Sequence, residues 1–323
     1  LSDMNLYYAK VLAGLSIQPS RPLVKGLLLT GDKVLLVAKP KVGKSILSQQ
    51  LAHGLAGHHP FLGLDVPKRE PVLYIAGEGD IDELQSNQKN ISLSLPVEEN
   101  WLFYWSLPEH PFDTPPGRKS LMDAAELVKL RSGSYPTLTI FDPAQFLMEG
   151  SLVEDKDVRM FLRVVNFYRA KTESTIWIDH HTHRPIRKPS GELIEEGASA
   201  YTGSQAWEAW YKVGLLLKKT EARSLNLSLM SARRPTCLDD DKTIDLFMVE
   251  PTPLVLVEKT EKVTRASEAL VLELLRLHDG MTVRQMSETG GKSVSTVETA
   301  VERLEKVGLI VGSGYPATYT RMK

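Results

Sequence analysis

Short, almost wholly apolar runs alternate with longer polar or mixed stretches along the first two thirds of the chain. These runs have the length and β-branched content of strands and occupy residues 33–38, 71–76, 101–105, 137–141 and 175–178. Uniformly apolar strands separated by helical stretches are typical of a sheet that is covered on both faces. The pattern therefore predicts an α/β domain with a mainly parallel central sheet.

The spacing of the apolar runs changes after residue 210. Runs at 212–218, 225–231 and 243–249 follow one another through short polar turns, which predicts antiparallel strands that extend the sheet. Residues 255–264 are polar and charged, and a new helical pattern begins after them. We therefore place a domain boundary near residue 262.

The C-terminal segment, 262–323, has the pattern of three helices closed by a β-hairpin, which resembles a winged helix. The third helix, predicted over 295–306, would be the recognition helix, yet it carries Glu298, Glu302 and Glu305. Carboxylates facing phosphates weaken DNA binding. The sequence thus favours equally two kinds of partner for this module: DNA, or a protein, including other replication proteins.

The chain divides into an N-terminal arm (1–22), the α/β domain (23–261) and the C-terminal module (262–323). The arm is weakly amphipathic. It either lies on a neighbouring subunit or caps its own domain.

Composition indicates a cellular compartment for the protein but does not indicate a ligand. The 39 Lys and Arg residues nearly balance 40 Asp and Glu, so nucleic-acid binding requires local loops or repetition of a patch around an oligomer. The single cysteine, Cys237, leaves no disulfide framework or cysteine zinc cluster and suits a reducing compartment. We expect a cytoplasmic protein with no membrane partner, because no apolar run approaches the roughly 20 residues of a membrane span and no signal peptide is recognisable.

A candidate phosphate-binding loop follows the first apolar run and precedes a helical pattern. It consists of Ala38, Lys39, Pro40, Lys41, Val42, Gly43, Lys44, Ser45 and Ile46. In such a loop backbone N–H groups hold phosphates, Lys44 contacts the β/γ oxygens and the Ser45 hydroxyl ligates Mg²⁺. Ala38 stands where the pattern has its first glycine; if that position needs a positive φ, Ala38 is strained by roughly 1 kcal/mol.

Carboxylates follow two later apolar runs, at the strand ends where ligands of open α/β sheets bind. Glu78 comes just after the run 71–76 and could polarise a water for attack on a γ-phosphate. Its alternative role is to cap the helix beginning near Ile81, for which Asp80 is the better candidate. Asp142 ends the run 137–141 and has the position of a Walker B aspartate, which holds Mg²⁺ opposite Ser45.

Two histidines, His180 and His181, follow the run 175–178. A histidine at this strand end can contact the γ-phosphate and transmit its presence to the next loop. With His183 they could instead bind a metal, although no cysteine or regularly spaced second cluster accompanies them.

The ordered combination of these motifs, followed by Gly203-Ser204, resembles the RecA-like ATPases of RepA-type hexameric replicative helicases over roughly residues 20–250. The resemblance implies ATP and Mg²⁺ as cofactors, Glu78 as catalytic glutamate and His181 or His180 as γ-phosphate sensor. It also implies a basic residue that reaches the neighbouring subunit's nucleotide. Arg233 and Arg234 occupy the matching place, unless they form only a solvated basic turn before Pro235.

A basic loop follows the histidines and contains Arg184, Arg187 and Lys188. In a ring these side chains would line the pore and contact single-stranded DNA. An ordinary surface loop is the alternative.

The hypothesis from sequence is Mg²⁺-dependent ATP hydrolysis that drives translocation on single-stranded DNA and duplex unwinding by a homo-oligomer, for which the resemblance implies a hexamer. Two alternatives are a recombinase or mediator ATPase that forms filaments on single strands and an ATP-gated DNA-binding regulator. The sequence does not give the polarity of movement.

Overall fold

A computed structural model describes residues 9, 11, 14, 19–182, 203–220, 224–239, 242–249, 255–258, 265–278, 280–306, 309–313 and 317–321. Most of the N-terminal arm and the whole segment 183–202 lie outside these residues. The predictions for Arg184, Arg187 and Lys188, and for His183, therefore concern positions that the structure does not describe.

Among the described residues, a small antiparallel hairpin precedes one large sheet. The hairpin strands are β1 (Pro22–Val24) and β2 (Leu28–Leu29). The large sheet contains β3 (Lys33–Ala38), β4 (Val72–Ala76), β5 (Leu102–Ser106), β6 (Leu138–Asp142), β7 (Thr175–His181), β8 (Val213–Lys219), β9 (Ser224–Ala232), β10 (Thr243–Val249) and β11 (Val255–Glu258).

The order of the large sheet is β11-β10-β9-β8-β3-β7-β6-β4-β5. Strands β8 to β5 in this order are parallel to one another, whereas β9, β10 and β11 are added antiparallel. The predicted mainly parallel α/β core is confirmed. Of the strands after residue 210, β8 is parallel to β3 and belongs to this core, and β9, β10 and β11 extend it antiparallel.

In the described part of the chain, five α-helices cover the sheet: α1 (Lys44–Gly57), α2 (Ile81–Ser94), α3 (Pro115–Ser132), α4 (Asp155–Thr172) and α5 (Gln205–Trp210). They pack on two faces because successive strand side chains point to opposite sides. Leu36 and Trp177 belong to the core layer with α1, whereas Leu35, Val37 and Ile178 belong to the layer with α3, α4 and α5. This alternation decides which side chains of β7 face the phosphate loop.

The C-terminal module contains α6 (Ala266–Leu277), α7 (Val283–Gly290) and α8 (Val294–Lys306). Strands β12 (Met281–Thr282), β13 (Ile310–Ser313) and β14 (Thr318–Arg321) form a small antiparallel sheet of order β12-β14-β13. Its separate core is built from residues such as Leu270, Met286 and Leu304. The three helices and the hairpin lie where the pattern placed them, while the winged-helix character and the boundary near 262 remain predictions.

One prediction for the connecting segment was wrong. Residues 255–258, assigned to a polar stretch, form β11, which pairs with β10 through Val249↔Val255 and Leu246↔Glu258. The polar residues that follow Val257 masked a three-residue apolar run with two valines, which favours an extended edge strand.

Candidate active site

The phosphate loop leaves the end of β3, where Ala38 pairs with His181 of β7 and Leu217 of β8. Ala38 is therefore a buried strand residue, and the condition for its strain is not met. The positive φ values lie further on, at Lys41 (61°) and Gly43 (111°). A non-glycine residue in this region is uncommon, so the unusual backbone of the loop belongs to Lys41.

Helix α1 begins at Lys44, and its N-cap residue Gly43 makes no side-chain capping hydrogen bond. The N–H groups of a first helical turn have no intrahelical partners and favour an anion. The loop thus directs backbone donors and the helix N-terminus to the same point. Ser45 lies in this first turn.

Lys44 is 5 % exposed and lies among polar side chains from three strands. Its Nζ is 3.0 Å from His181 Nδ1, and His181 Nε2 is 3.8 Å from Glu78 Oε1. Burial lowers the pKa of Lys44, while Asp179, Asp142 and Glu78 oppose that shift. The Lys44 ammonium therefore depends on surrounding carboxylates for its charge.

His181 is the acceptor in this contact when it is neutral. Burial, and then the nearby Lys44 charge, lower the pKa of His181, so near neutral pH the imidazole lacks its second proton. A neutral Nδ1 accepts a hydrogen bond from the Lys44 ammonium. This fixes a contact between the phosphate loop and the end of β7.

Glu78 follows β4 and precedes α2, whose N-cap is Asp80. The Asp80 side chain makes no capping hydrogen bond, and Glu78 lies before the cap position. Burial, followed by the Asp142 charge, raises the pKa of Glu78. Its side chain is 42 % exposed, so water can reach it.

Asp142 ends β6 and is buried. Tyr74 donates its hydroxyl hydrogen to Asp142 Oδ2, whereas Oδ1 is buried and accepts no hydrogen bond from the described protein donors. Asp142, Ser45 and Glu78 line one cavity of about 250 Å³. Hydroxyl and carboxylate oxygens are the protein ligands that Mg²⁺ uses, so the residues present fit a Mg²⁺–nucleotide complex.

A third carboxylate of the site, the buried Asp179, was missed by the sequence interpretation. Ser48 donates to Asp179 Oδ2 at 2.7 Å, and Trp177 Nε1 donates to Oδ1 at 2.8 Å. Burial, followed by the Asp142 charge, raises the pKa of Asp179. Asp179 joins α1, one turn after Lys44, to the strand that carries His181. The available signal was an acidic residue directly after the apolar run 175–178.

The two histidines lie on opposite faces of β7. His181 faces Lys44, whereas the His180 ring packs edge-on against Trp207 of α5, with ring centroids 4.9 Å apart. Of the two sensor candidates, only His181 is brought to the phosphate loop.

The sequence matches the model of the AAA domain family over residues 9–185, more than half of the chain. The chain belongs to the AAA domain family. Among solved structures, the ATPase domain of G40P is similar at 10 % identity and a TM-score of 0.54, covering 72 % of this chain and 86 % of that one. A KaiC-like protein, PH0186, from the hyperthermophilic archaea Pyrococcus horikoshii OT3 matches at 15 % identity and a TM-score of 0.47, covering 74 % and 94 %. No curated protein matches this sequence.

Family and fold together make this AAA-domain chain a P-loop ATPase with a RecA-like core. Nucleotide binding is the property that this family implies. No helix in the described part of the chain has the length and apolar character needed to cross a bilayer.

The two candidate arginines of this AAA-family chain have different surroundings. Arg234 donates to the Asp32 carboxylate and, at 2.7 Å, to the Leu27 carbonyl, and its side chain is 19 % exposed. Arg233 is exposed and donates to the Ala209 carbonyl at 2.7 Å. Arg234 is therefore held within its own subunit, and Arg233 presents the more accessible guanidinium.

Both arginines follow β9 at the edge of the sheet where β3 begins. Arg233 N–H donates to the Lys212 carbonyl, and Lys212 N–H donates to the Lys33 carbonyl. The phosphate loop starts at the other end of β3, five residues further, which is roughly 17 Å along an extended strand. Arg233 therefore lies at the opposite edge of the sheet from its own phosphate loop.

Proposed function

We propose that this AAA-domain chain couples Mg²⁺-dependent ATP hydrolysis to movement along single-stranded DNA and to duplex unwinding, as a ring of identical subunits, six by resemblance. The observation that carries the proposal is the meeting of Lys44, Glu78, Asp142 and His181 at one edge of the sheet, with Arg233 exposed at the other. A site with its own base and metal ligands, and a cation on the far edge, suits hydrolysis that is completed by a neighbour.

The first turn of α1 and Lys44 would hold the phosphates, and Ser45 with Asp142 would hold Mg²⁺. When bound, Mg²⁺ neutralises charge on the phosphate oxygens. Tyr74 orients Asp142 by its hydrogen bond to Oδ2, and Oδ1 accepts no hydrogen bond from the described part of the chain.

Glu78 is the proposed general base. It would accept a proton from water as the water oxygen attacks the γ-phosphorus and the bond to the ADP oxygen breaks. Its raised pKa makes Glu78 a better proton acceptor than an exposed glutamate. His181, which contacts both Lys44 and the Glu78 region, is the proposed sensor, and His180 keeps a packing role.

Arg233 is the proposed arginine finger, acting on the nucleotide of the adjacent subunit. Arg184, Arg187 and Lys188 are proposed to contact the DNA backbone from the loop that follows β7. Repetition around a ring would supply the positive charge that the nearly neutral chain lacks. The C-terminal module is proposed as a winged-helix-like domain that begins near residue 262.

The deciding experiment is strand displacement on 5′- and 3′-tailed duplexes with wild-type protein and Lys44→Ala. We expect ATP-dependent displacement from one tail only, and none with Lys44→Ala. ATP hydrolysis without displacement from either tail would reject the helicase function while keeping the ATPase. Persistent hydrolysis by Lys44→Ala would reject the site itself.

Negative-stain microscopy with ATP and single-stranded DNA distinguishes the forms of assembly. A closed ring supports the proposal, whereas a helical filament supports a recombinase or mediator. The regulator alternative predicts turnover that single-stranded DNA does not stimulate, together with tight binding to a specific duplex.

A further inference from the structure

A basic depression of about 270 Å³ lies between α4 and α5, near the beginning of β3. We call it the α4–α5 groove; the polar side chains that line it are those of Lys33, Arg159, Arg163 and Asn166. Its floor includes the buried Trp210, over whose ring Lys33 Nζ lies at 5.3 Å. The groove is remote from the phosphate loop, which leaves the opposite end of β3.

The positive charge of the groove is only partly balanced by nearby carboxylates. Burial, together with the charges of Arg169, Arg233 and Lys212, lowers the pKa of Lys33 to about 8. In the described part of the chain, Lys33 and Arg163 have no carboxylate within ion-pair distance. Six cations thus converge on this region.

The carboxylates on the two groove helices do not offset these cations fully. They are Asp155, Asp157 and Glu208. Asp155 pairs with Arg159 at 3.3 Å, and Asp157 accepts a hydrogen bond from the Ser151 N–H in the loop before α4. Glu208 makes no ion pair with the described groove cations. Arg163 in particular is exposed on α4 and has no carboxylate partner among the described residues.

The groove presents donors of three geometries. Lys33 supplies an ammonium, and Arg159 and Arg163 supply planar guanidinium groups that match two oxygens at a time. Trp210 donates to Asn166 Oδ1 at 3.0 Å, which leaves the Asn166 amide hydrogens for another acceptor. Several donors around one concavity suit an anion with more than two oxygens and more than one negative charge.

We propose that the α4–α5 groove binds phosphate groups. Phosphate meets this donor set better than a single carboxylate, because it has more acceptor oxygens and carries more charge. The phosphates could belong to a free polyphosphate or nucleotide or to a DNA backbone, which share this chemistry. The site is separate from the phosphate loop and does not depend on helicase function.

The test is calorimetric titration of full-length protein with inorganic tripolyphosphate at pH 7, where Lys33 is mostly protonated. All variants carry Lys44→Ala, which weakens the phosphate loop. The groove pair is Lys33→Gln with Arg163→Gln. The matched control pair is Lys119→Gln with Arg131→Gln, two exposed cations of α3, so both pairs lose the same charge.

We expect saturable tripolyphosphate binding in the background and control proteins and at least a tenfold lower affinity in the groove pair. Equal affinities in the two pairs, or no saturable binding in the background, would overturn the proposal. Circular dichroism checks folding, and Arg163→Glu alone serves as a second variant because the exposed Arg163 has no described partner to lose.

Fluorescence anisotropy with a labelled oligodeoxythymidine identifies the source of the phosphates. A selective loss of DNA affinity in the groove pair assigns the groove to the DNA backbone, and unchanged DNA affinity assigns it to a free phosphate compound. The groove pair could also differ from the control pair in sedimentation but not in tripolyphosphate affinity. In that case the groove contacts carboxylates of a second copy of this chain, and the phosphate proposal fails. These binding measurements do not depend on ATP hydrolysis or unwinding, so a failure of the helicase proposal would not change their interpretation.

Discussion

Lys44 is buried beside three carboxylates, and each of them has a different environment. Glu78 is partly open to water, Asp142 is oriented by Tyr74, and Asp179 is enclosed by Ser48 and Trp177. Environments that differ in this way separate the roles that chemically similar groups can take. Only Glu78 combines a raised pKa with access to water.

Glu78→Gln should lower ATP turnover by at least about 10²-fold, since an amide cannot accept the proton from water. Nucleotide affinity should change little, because the phosphate-binding lysine and the helix N-terminus are retained. Steady-state hydrolysis and binding of a fluorescent ATP analogue measure the two effects. Asp80→Asn, which changes an exposed carboxylate two residues away, is the control and should keep turnover near that of the wild type.

His53 provides a pH-dependent contribution to stability. It is buried in α1, with Nδ1 2.8 Å from the Leu95 carbonyl and Nε2 3.1 Å from the Tyr104 hydroxyl. Burial lowers the pKa of His53 from its ordinary 6.5 to about 4. Between these values the unfolded chain binds the proton more readily, so the contribution is complete above about 6.5 and is lost as pH falls towards 4.

The free energy of unfolding should therefore fall by up to about 3 kcal/mol through His53 as pH drops across this window. Urea unfolding of wild type and His53→Gln at pH 7.5 and pH 5 tests this. The variant should be less sensitive to pH, while the exposed His110→Gln should behave like the wild type. Parallel pH profiles for wild type and His53→Gln would contradict the assignment.

Some residues of the site could be predicted from the sequence, and others could be recognised only from their contacts in space. Glu78 and Asp142 were predictable because each follows an apolar run, where polar residues of an α/β sheet meet. Asp179 also follows an apolar run, but its role could not be predicted, because it depends on Ser48 and Trp177 lying beside it in space. The choice between His180 and His181 likewise needed the face of β7 on which each lies.

Strand β9 and the turn after it place two neighbouring arginines in different environments. Arg234 turns inward to Asp32, whose carboxylate also accepts the Leu29 N–H at 2.9 Å, and so secures the β1–β2 hairpin to the sheet. Arg233 turns outward. The same element thus carries one structural and one accessible guanidinium.

Arg234→Ala should lower the free energy of unfolding by about 3 kcal/mol, because it leaves the buried Asp32 without its counter-charge. Arg233→Ala should cost no more than about 1 kcal/mol, since it loses one exposed hydrogen bond, but should reduce turnover about 10³-fold or more. Urea unfolding and ATPase assays on both variants separate these roles. A turnover of Arg233→Ala equal to wild type would remove the finger assignment.

Most strands of the sheet could be predicted from the sequence, because buried strands are continuous apolar runs. The exception, β11, is short and its apolar part is followed by charged residues, so its edge position depends on pairing with β10. The ends of α3 and α4 could not be predicted from the sequence either, because their apolar residues lie within otherwise polar sequence and only packing shows which residues are helical.

At the scale of the whole molecule, the phosphate loop and Arg233 occupy opposite edges of one sheet. If Arg233 acts as proposed, one subunit completes a site by placing this end of its sheet against the phosphate-loop end of a neighbour, which is a heterologous contact. Sequence could not show this separation, because the order of strands in the sheet, with β8 beside β3, follows from packing.

Trans-complementation tests this arrangement. Lys44→Ala and Arg233→Ala proteins should each be nearly inactive, while an equal mixture that is allowed to exchange subunits should regain part of the activity. In a random mixture about a quarter of the interfaces join an intact phosphate loop to an intact Arg233. Activity in the mixture no greater than the sum of the two variants would show that the two residues do not act across an interface.

The position of β3 in the sheet has a consequence for local opening. It is the fifth of the nine described strands of the large sheet and has parallel partners on both sides, β7 and β8. Its backbone amides can exchange with solvent only if the sheet separates at its centre, whereas β5 and β11 are edge strands. Hydrogen exchange should therefore be slowest in β3, so that the strand carrying the phosphate loop stays formed while the edges of the sheet fray.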